Sequence, residues 1–277
     1  MLPGAEAVRD DVTRALAEDV GDGDLTAGLV AAGTARARVI CRESAVLAGR
    51  AWFEEVFRQV DASVVLQWQR DDGQAMDGGE VVCTIEGPAA SVLTAERTAL
   101  NFLQTLSGVA TATAAYVRAV EGTGARILDT RKTIPGLRRA QKYAVTCGGG
   151  HNHRMGLYDA ILIKENHIAA AGSIRAVLER ALRLHPGVEV EIEVEDLGQL
   201  EEALAAGARR VLLDNFDLAS LREAVALNVG RARLEASGGV DLETVRAIAE
   251  TGVDDISVGA ITKNLRSVDF SLLLDGA

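Results

Sequence analysis

Beyond about residue 125 the chain repeats one unit: a short apolar run, a polar residue, a loop, then an amphipathic helical stretch. The six runs are RILDT, AILIK, VEIEV, RVLLD, LEAS and DISVG, and the later ones recur at intervals slightly over twenty residues. Short β-rich runs separated by a helix's worth of chain mark βαβ crossovers, because parallel neighbours cannot be joined by a tight turn. Open doubly wound sheets and α/β barrels both meet that description. The residues that close the runs favour the barrel. Asp129, Lys164, Glu193, Asp214, Ser237 and Gly259 fall at or beside carboxyl ends, and a barrel gathers those ends on one face, where sites are built. Six runs fall short of eight strands, so the expectation is an incomplete, open TIM-like α/β barrel.

The preceding residues lack this regularity. Val8, Val12 and Leu16 at four-residue spacing predict a helix over 5–19, and the turn VGDGDLT follows it. Ala35, Ala37, Val39 and Cys41 alternate with polar residues as in a strand, GRAWFEEVFRQV (49–60) has helical period, and VVLQWQ (64–69) reads as a strand. Turns then surround a further strand in VVCTIEGP, and a long helical region starts near Ser91, with a break expected at Gly108. The domain organisation expected is 1–108 as a mixed α/β domain and 109–266 as the barrel, with the tail 267–277 packed back on the first domain.

The formal net charge is −11, yet from Thr130 through Tyr158 there is no Asp or Glu. That segment holds Arg131, Lys132, Arg138, Arg139, Lys142 and Arg154, with His151 and His153 beside them. An acidic chain lacks the broad basic surface that nucleic acid demands, so the positive block serves something smaller. No apolar run approaches the length of a membrane span, and MLPGAEAVRDDV has neither the basic start nor the apolar core of a signal peptide. A cytoplasmic protein is expected. Cys41, Cys83 and Cys147 are odd in number and lack CxxC spacing, which reads as reduced, structural thiols.

Within the barrel segment, SGGV (237–240) and GAIT (259–262) follow consecutive predicted strands. Glycine lets backbone N–H groups approach an anion closely, and two such loops late in a barrel suggest a phosphate site at Ser237, Gly238, Gly239, Gly259 and Ala260. Glu193 and Asp214 close consecutive runs, where two carboxylates suit a hard cation such as Mg²⁺. Glu189, Glu191, Glu193 and Glu195 alternate, so period alone does not single out Glu193. Arg131 and Lys132 lie past RILDT, His153 and Arg154 enter AILIK, and Lys164 ends it. So many cations near one barrel mouth imply a polyanionic ligand. Arg138, Arg139 and Lys142 are expected on the exposed face of the helix after Pro135. HxH spacing at His151 and His153 permits metal, but cationic surroundings oppose its capture. His153 is preferred for anion contact or proton handling, and His151 is left without a role.

Taken in order, TAERTALNFLQTLSG, DTRKTIPGLR, GGGHNHRMGLYDAILIKENH, EVEIEVE, LLDNF, SGGV and VGAIT resemble the quinolinate phosphoribosyltransferase family. The resemblance spans nearly the whole chain and implies an N-terminal α/β sandwich domain joined to the incomplete barrel. It implies a reaction of quinolinate with phosphoribosyl pyrophosphate, requiring Mg²⁺. It implies quinolinate-binding cations at Arg131, His153 and Arg154, active-site lysines at Lys132 and Lys164, and an acidic pair at Glu193 and Asp214. Arg97 matches an arginine that the family contributes from the neighbouring subunit of a homodimer, with a trimer of dimers left open. The rivals are a same-fold transferase for nicotinate or a molybdenum-transport relative, a barrel hydrolase using His151 and His153, and a non-catalytic anion-binding regulator.

Overall fold

The computed structural model describes residues 2–30 and 32–275. In chain order the first elements are α1 (Ala5–Asp19), β1 (Thr34–Cys41), β2 (Ala45–Val46), α2 (Arg50–Val60), β3 (Val65–Trp68), β4 (Ala75–Met76), β5 (Val81–Pro88) and α3 (Ala89–Ala119). Next come β6 (Arg126–Leu128), α4 (Arg138–Cys147), β7 (Ile161–Ile163), α5 (Glu165–Ala171), α6 (Ile174–Leu184), β8 (Val190–Val194), α7 (Leu197–Ala205) and β9 (Arg210–Asp214). The chain closes with α8 (Leu218–Asn228), β10 (Arg233–Ser237), α9 (Val245–Ala249), β11 (Asp255–Ser257), α10 (Ala260–Lys263) and β12 (Phe270–Leu274). Two compact units result: residues 1–114, 133–149 and 264–277, and residues 115–132 and 150–263. No helix among the described residues is long and apolar enough to cross a membrane.

The first unit is built on an antiparallel sheet of order β12-β1-β5-β3. Residues far apart in sequence complete it, since β12 pairs with β1 in the register Phe270↔Cys41 through Leu274↔Ala37. Val39 and Cys41 point into the core, as do Trp52, Phe53, Val56 and Phe57, which form one face of α2 at helical spacing. Polar groups inside this unit are matched: Ser107 Oγ accepts the Ala48 N–H at 3.0 Å and Thr111 Oγ1 accepts the Val46 N–H at 2.9 Å.

Two expectations are corrected here. The helix from Ala89 does not break at Gly108 but runs unbroken for 31 residues. Gly108 is there for room: a Cβ would overlap the carbonyl oxygen of Arg266, so the glycine admits a neighbouring backbone and does not stop the helix. Lys142, expected on an exposed face, is wholly buried. Helix α4 belongs to this unit and buries Ala140, Gln141, Lys142, Ala144 and Val145. At about 100° per residue these span more than half the circumference, which leaves Arg139 exposed and Arg138 half-buried.

The second unit is a six-stranded parallel sheet of order β6-β11-β10-β9-β8-β7. Its strands are the six runs of the sequence. Val211, Leu213, Leu234, Ala236, Ile192, Val194 and Ile256 are nearly or fully buried, while Glu191, Glu193, Arg210, Asp214, Arg233, Glu235 and Asp255 alternate with them. Side chains two strands apart meet across the sheet, as Arg210 of β9 and Asp255 of β11 do at 3.7 Å.

Gly108→Ala provides a test of the close approach. In an open helix that change stabilises by up to ~1 kcal/mol through propensity. Here the overlap should reverse the sign and cost on the order of 1–3 kcal/mol in urea denaturation; a gain in stability would refute the packing account.

Candidate active site

The carboxyl ends of the parallel strands bring together most of the candidate residues of the second unit. Past β6, Lys132 is fixed by backbone bonds: its N–H donates to Thr130 Oγ1 at 3.0 Å and its carbonyl accepts from Thr262 Oγ1 at 2.7 Å. A Cβ at Gly259 would stand 3.2 Å from Lys132 Cδ, so that glycine makes room for the lysine stem. Its neighbour Ala260 begins the four-residue helix α10, while Gly238 and Gly239 turn the chain with φ of 104° and 60°. Both conformations are disfavoured for residues with a Cβ. The helices after these loops are short, so backbone N–H groups more than extended helix dipoles define the loops.

Asp129 is fully buried at the end of β6 and anchors the HNH segment. It accepts from Asn152 Nδ2 at 2.6 Å and from the His153 N–H at 2.9 Å, and His151 forms a parallel bridge with Leu128. His151 itself is exposed. Arg154 follows, and its loop is closed by Asp159, which accepts the N–H groups of Met155 and Gly156 at 2.6 and 2.9 Å. Burial first, and the charge of Arg131 second, hold Arg154 below the usual arginine value. Two guanidinium groups from different loops therefore converge.

Lys164 at the end of β7 lies 2.5 Å from Glu193 of β8. Glu193 and Lys164 meet over Oε2, and Asp214 Oδ2 accepts from Asn215 Nδ2 at 2.8 Å. Among the described residues Glu193 Oε1 and Asp214 Oδ1 take no protein hydrogen bond. Two carboxylates that each keep an oxygen suit a hard divalent cation shared with phosphate oxygens. Glu195 lines a cleft of about 190 Å³ with Glu193, Glu165 and Gln199. Glu191, two residues earlier on the same face of β8, is buried.

Beneath the mouth lies a charged interior that sequence reasoning missed. Arg210 reaches Glu235 at 3.0 Å, Glu191 at 3.4 Å and Asp255 at 3.7 Å; Arg233 and Arg126 reach Asp255 at 2.5 and 2.8 Å. Its signal was present in the alternation of charge in RVLLD, RLEAS and VEIEV. His153 Nε2 joins it, 2.7 Å from Glu191 and 3.6 Å from Glu235. Burial opposes the imidazolium, but Glu191 and Glu235 prevail and raise the His153 pKa. The Arg154 N–H, 2.7 Å from Nδ1, favours the neutral ring; Coulomb attraction to Glu191 in a low-dielectric interior outweighs one amide. Although His153, Glu191 and Glu235 place ligand-type atoms within 4.8 Å of one another, Arg210 already supplies the countercharge a metal would bring. Burial, then repulsion from Glu191, pushes Glu235 up to about 8.

Arg97 belongs to the first unit, exposed on α3. The second unit by itself defines a class: an open α/β barrel whose strand ends carry cations, glycine loops and carboxylates, a set of groups suited to a polyanionic small molecule. The chain matches the quinolinate phosphoribosyl transferase N-terminal domain over residues 24–107 and the C-terminal domain over residues 109–273. It belongs to the quinolinate phosphoribosyltransferase family. Among curated relatives it is 44% identical over 277 residues to the nicotinate-nucleotide pyrophosphorylase (carboxylating) of Mycobacterium leprae, covering 96% of this chain and 97% of that one. The probable enzyme of that name in Bacillus subtilis is 43% identical over 258 residues, covering 92% and 89%. The solved nicotinate-nucleotide pyrophosphorylase of Francisella tularensis superposes with a TM-score of 0.97 at 45% identity, covering 99% of this chain and 98% of that one.

The position of Glu235 sets a pH dependence. A carboxyl whose folded pKa is raised binds more protons folded than unfolded, so stability falls as pH climbs from about 4.5 to about 8. Glu235→Gln should flatten that slope in thermal melts between pH 5 and 9. An unaltered slope would show that Glu235 ionises normally.

Proposed function

We propose that this chain transfers the phosphoribosyl group of phosphoribosyl pyrophosphate to quinolinate with decarboxylation, giving nicotinate mononucleotide, pyrophosphate and CO₂ for NAD biosynthesis. The observation that supports it most is the proximity of Arg131 and Arg154, since a half-buried guanidinium whose charge is disfavoured by burial and by a neighbouring cation is stabilised by a ligand bearing carboxylates. Arg131 and Arg154 bind the two carboxylates of quinolinate, and His153 adds positive charge below them. Lys132 and Lys164 meet the pyrophosphate. The loops Ser237–Gly239 and Gly259–Ala260 receive the ribose phosphate.

The ring nitrogen attacks the anomeric carbon while the bond to pyrophosphate breaks, so positive charge builds on the ribose and negative charge on the departing oxygens. Lysine ammonium groups stabilise that departing charge, worth most where water is excluded. Mg²⁺ held by Glu193 and Asp214 would supply further neutralisation of the pyrophosphate. Once the ring nitrogen is quaternised, its positive charge stabilises the electron pair left on the adjacent carbon when the carboxylate departs as CO₂, and that pair takes a proton. The chain's share is positioning and electrostatics. The reaction is placed in the cytoplasm, in a homodimer to which Arg97 contributes across subunits.

Quinolinate labelled in its 2-carboxylate should release labelled CO₂ only when phosphoribosyl pyrophosphate is present; binding of both without turnover would leave a regulator. Arg131→Ala should weaken quinolinate binding by on the order of 2–5 kcal/mol in calorimetry, and the co-substrate much less. Equal weakening of both removes the carboxylate assignment. For the dimer, Arg97→Ala and Lys164→Ala should each be nearly inactive. Mixed dimers of the two have one site with both residues intact, so random exchange restores about a quarter of wild-type sites. No recovery in verified mixed dimers would confine Arg97 to its own chain.

A further inference from the structure

At the carboxyl end of β9, Asp214 is followed by Asn215, whose φ of 57° is positive. Among the described residues only Val229 shares that sign outside glycine. Asparagine tolerates the left-handed region better than most side chains, and three contacts account for its use here. The Asn215 N–H donates to the Ser237 carbonyl at 2.9 Å, extending the β9–β10 ladder past the pair Ser237↔Asp214. Its Nδ2 donates to Asp214 Oδ2 at 2.8 Å. Its carboxamide lies over Gly238, where a Cβ would overlap Oδ1 and stand 2.8 Å from Cγ. Starting α8 does not require this amide, because Asp217 Oδ1 already caps that helix by accepting the Ser220 N–H at 2.8 Å.

We propose that Asn215 is a positioning residue that aims the Asp214 carboxylate at the metal and couples it to the Gly238 loop. Resting on the reading of Glu193 and Asp214 as the Mg²⁺ pair, it adds a residue and a reason. A half-exposed carboxylate rotates about its own axis and presents either oxygen. One hydrogen bond on Oδ2 ends that freedom and leaves Oδ1 as the ligating atom. Gly238 is glycine in part so that the amide can sit there. The acid at the end of β9 and the anion loop at the end of β10 then move as one body, which suits a metal and a phosphate bound together.

Mn²⁺ provides a spectroscopic probe that needs no turnover: bound ion is counted by electron paramagnetic resonance on the full chain, without quinolinate. Asn215→Gly keeps the left-handed backbone and removes only the amide, so the unfolding midpoint should hold. Mn²⁺ binding should weaken roughly 10–100-fold, as for other lost partners of metal ligands. In steady state the Mg²⁺ requirement and the KM for phosphoribosyl pyrophosphate should rise, while the KM for quinolinate stays put. Gly238→Ala should displace the amide and weaken Mn²⁺ similarly, and its effect on the metal should vanish in the Asn215→Gly background. Wild-type Mn²⁺ binding in Asn215→Gly, or additive losses in the double variant, overturns this inference alone provided Asp214→Asn loses the ion. If Asp214→Asn also binds Mn²⁺ normally, the carboxylate-pair reading falls and takes the inference with it.

Discussion

The guanidinium of Arg210, with Glu235 at 3.0 Å, Glu191 at 3.4 Å and Asp255 at 3.7 Å, stands where most α/β barrels pack branched apolar side chains. Burying ions costs several kcal/mol each, and only close geometry and shared hydrogen bonds offset that. Asp255 satisfies the condition most fully: burial opposes its charge, yet Arg233 and Arg126 hold its pKa below the ordinary value. The network ties β6, β8, β9, β10 and β11 together through side chains as well as backbone. It also sets the sign of the floor under the site. Arg126, Arg210 and Arg233 face Glu191, Glu235 and Asp255, and burial holds the Glu235 carboxyl well above the ordinary carboxylate range, so the acids do not outweigh the arginines. A floor with no excess of negative charge leaves the cationic mouth above it uncancelled.

That mouth is assembled by the fold from short local devices. Asp129 orders the HNH segment, Asp159 closes the loop that carries Arg154, and Thr130 with Thr262 hold the backbone of Lys132. Each device uses a polar side chain that bonds backbone groups, so the segments carrying the functional cations are ordered through their main chain. Gly238 and Gly259 are small for different reasons: one has a left-handed backbone and an amide against it, the other gives way to a lysine stem.

Six of the parallel strands could be read from sequence because apolar runs and their polar ends repeat at crossover spacing, and β12 aside, the first unit's longer elements followed simple period. What could not be read has a common cause. The alternating charges Arg233 and Glu235, and Glu189, Glu191 and Glu193, were the one trace of an ionic core in the sequence, but a charged residue in a strand looks solvent-facing until its partners on other strands are known. Lys142 was hidden for the same reason, and Gly108 because its neighbour, Arg266, is remote in sequence. Asn215 sat inside a recognised motif, yet its φ and its contact with Gly238 exist only once β9 and β10 are side by side.

Lys164 and Glu193 show how such a site tolerates its own charges. At 2.5 Å each neutralises the other, although the lysine is half-exposed and the glutamate largely covered. In the proposed reaction a divalent cation and a pyrophosphate arrive as a pair, and each brings the countercharge that one protein partner would otherwise lose. Glu193 would exchange an ammonium for a metal, and Lys164 would exchange a carboxylate for phosphate oxygens. The exchange conserves the number of opposite-charge contacts, so desolvating the ligand is offset without first paying to expose a bare buried ion. Either ligand alone would leave one member of the pair unmatched, which couples the metal to the leaving group before any bond is broken.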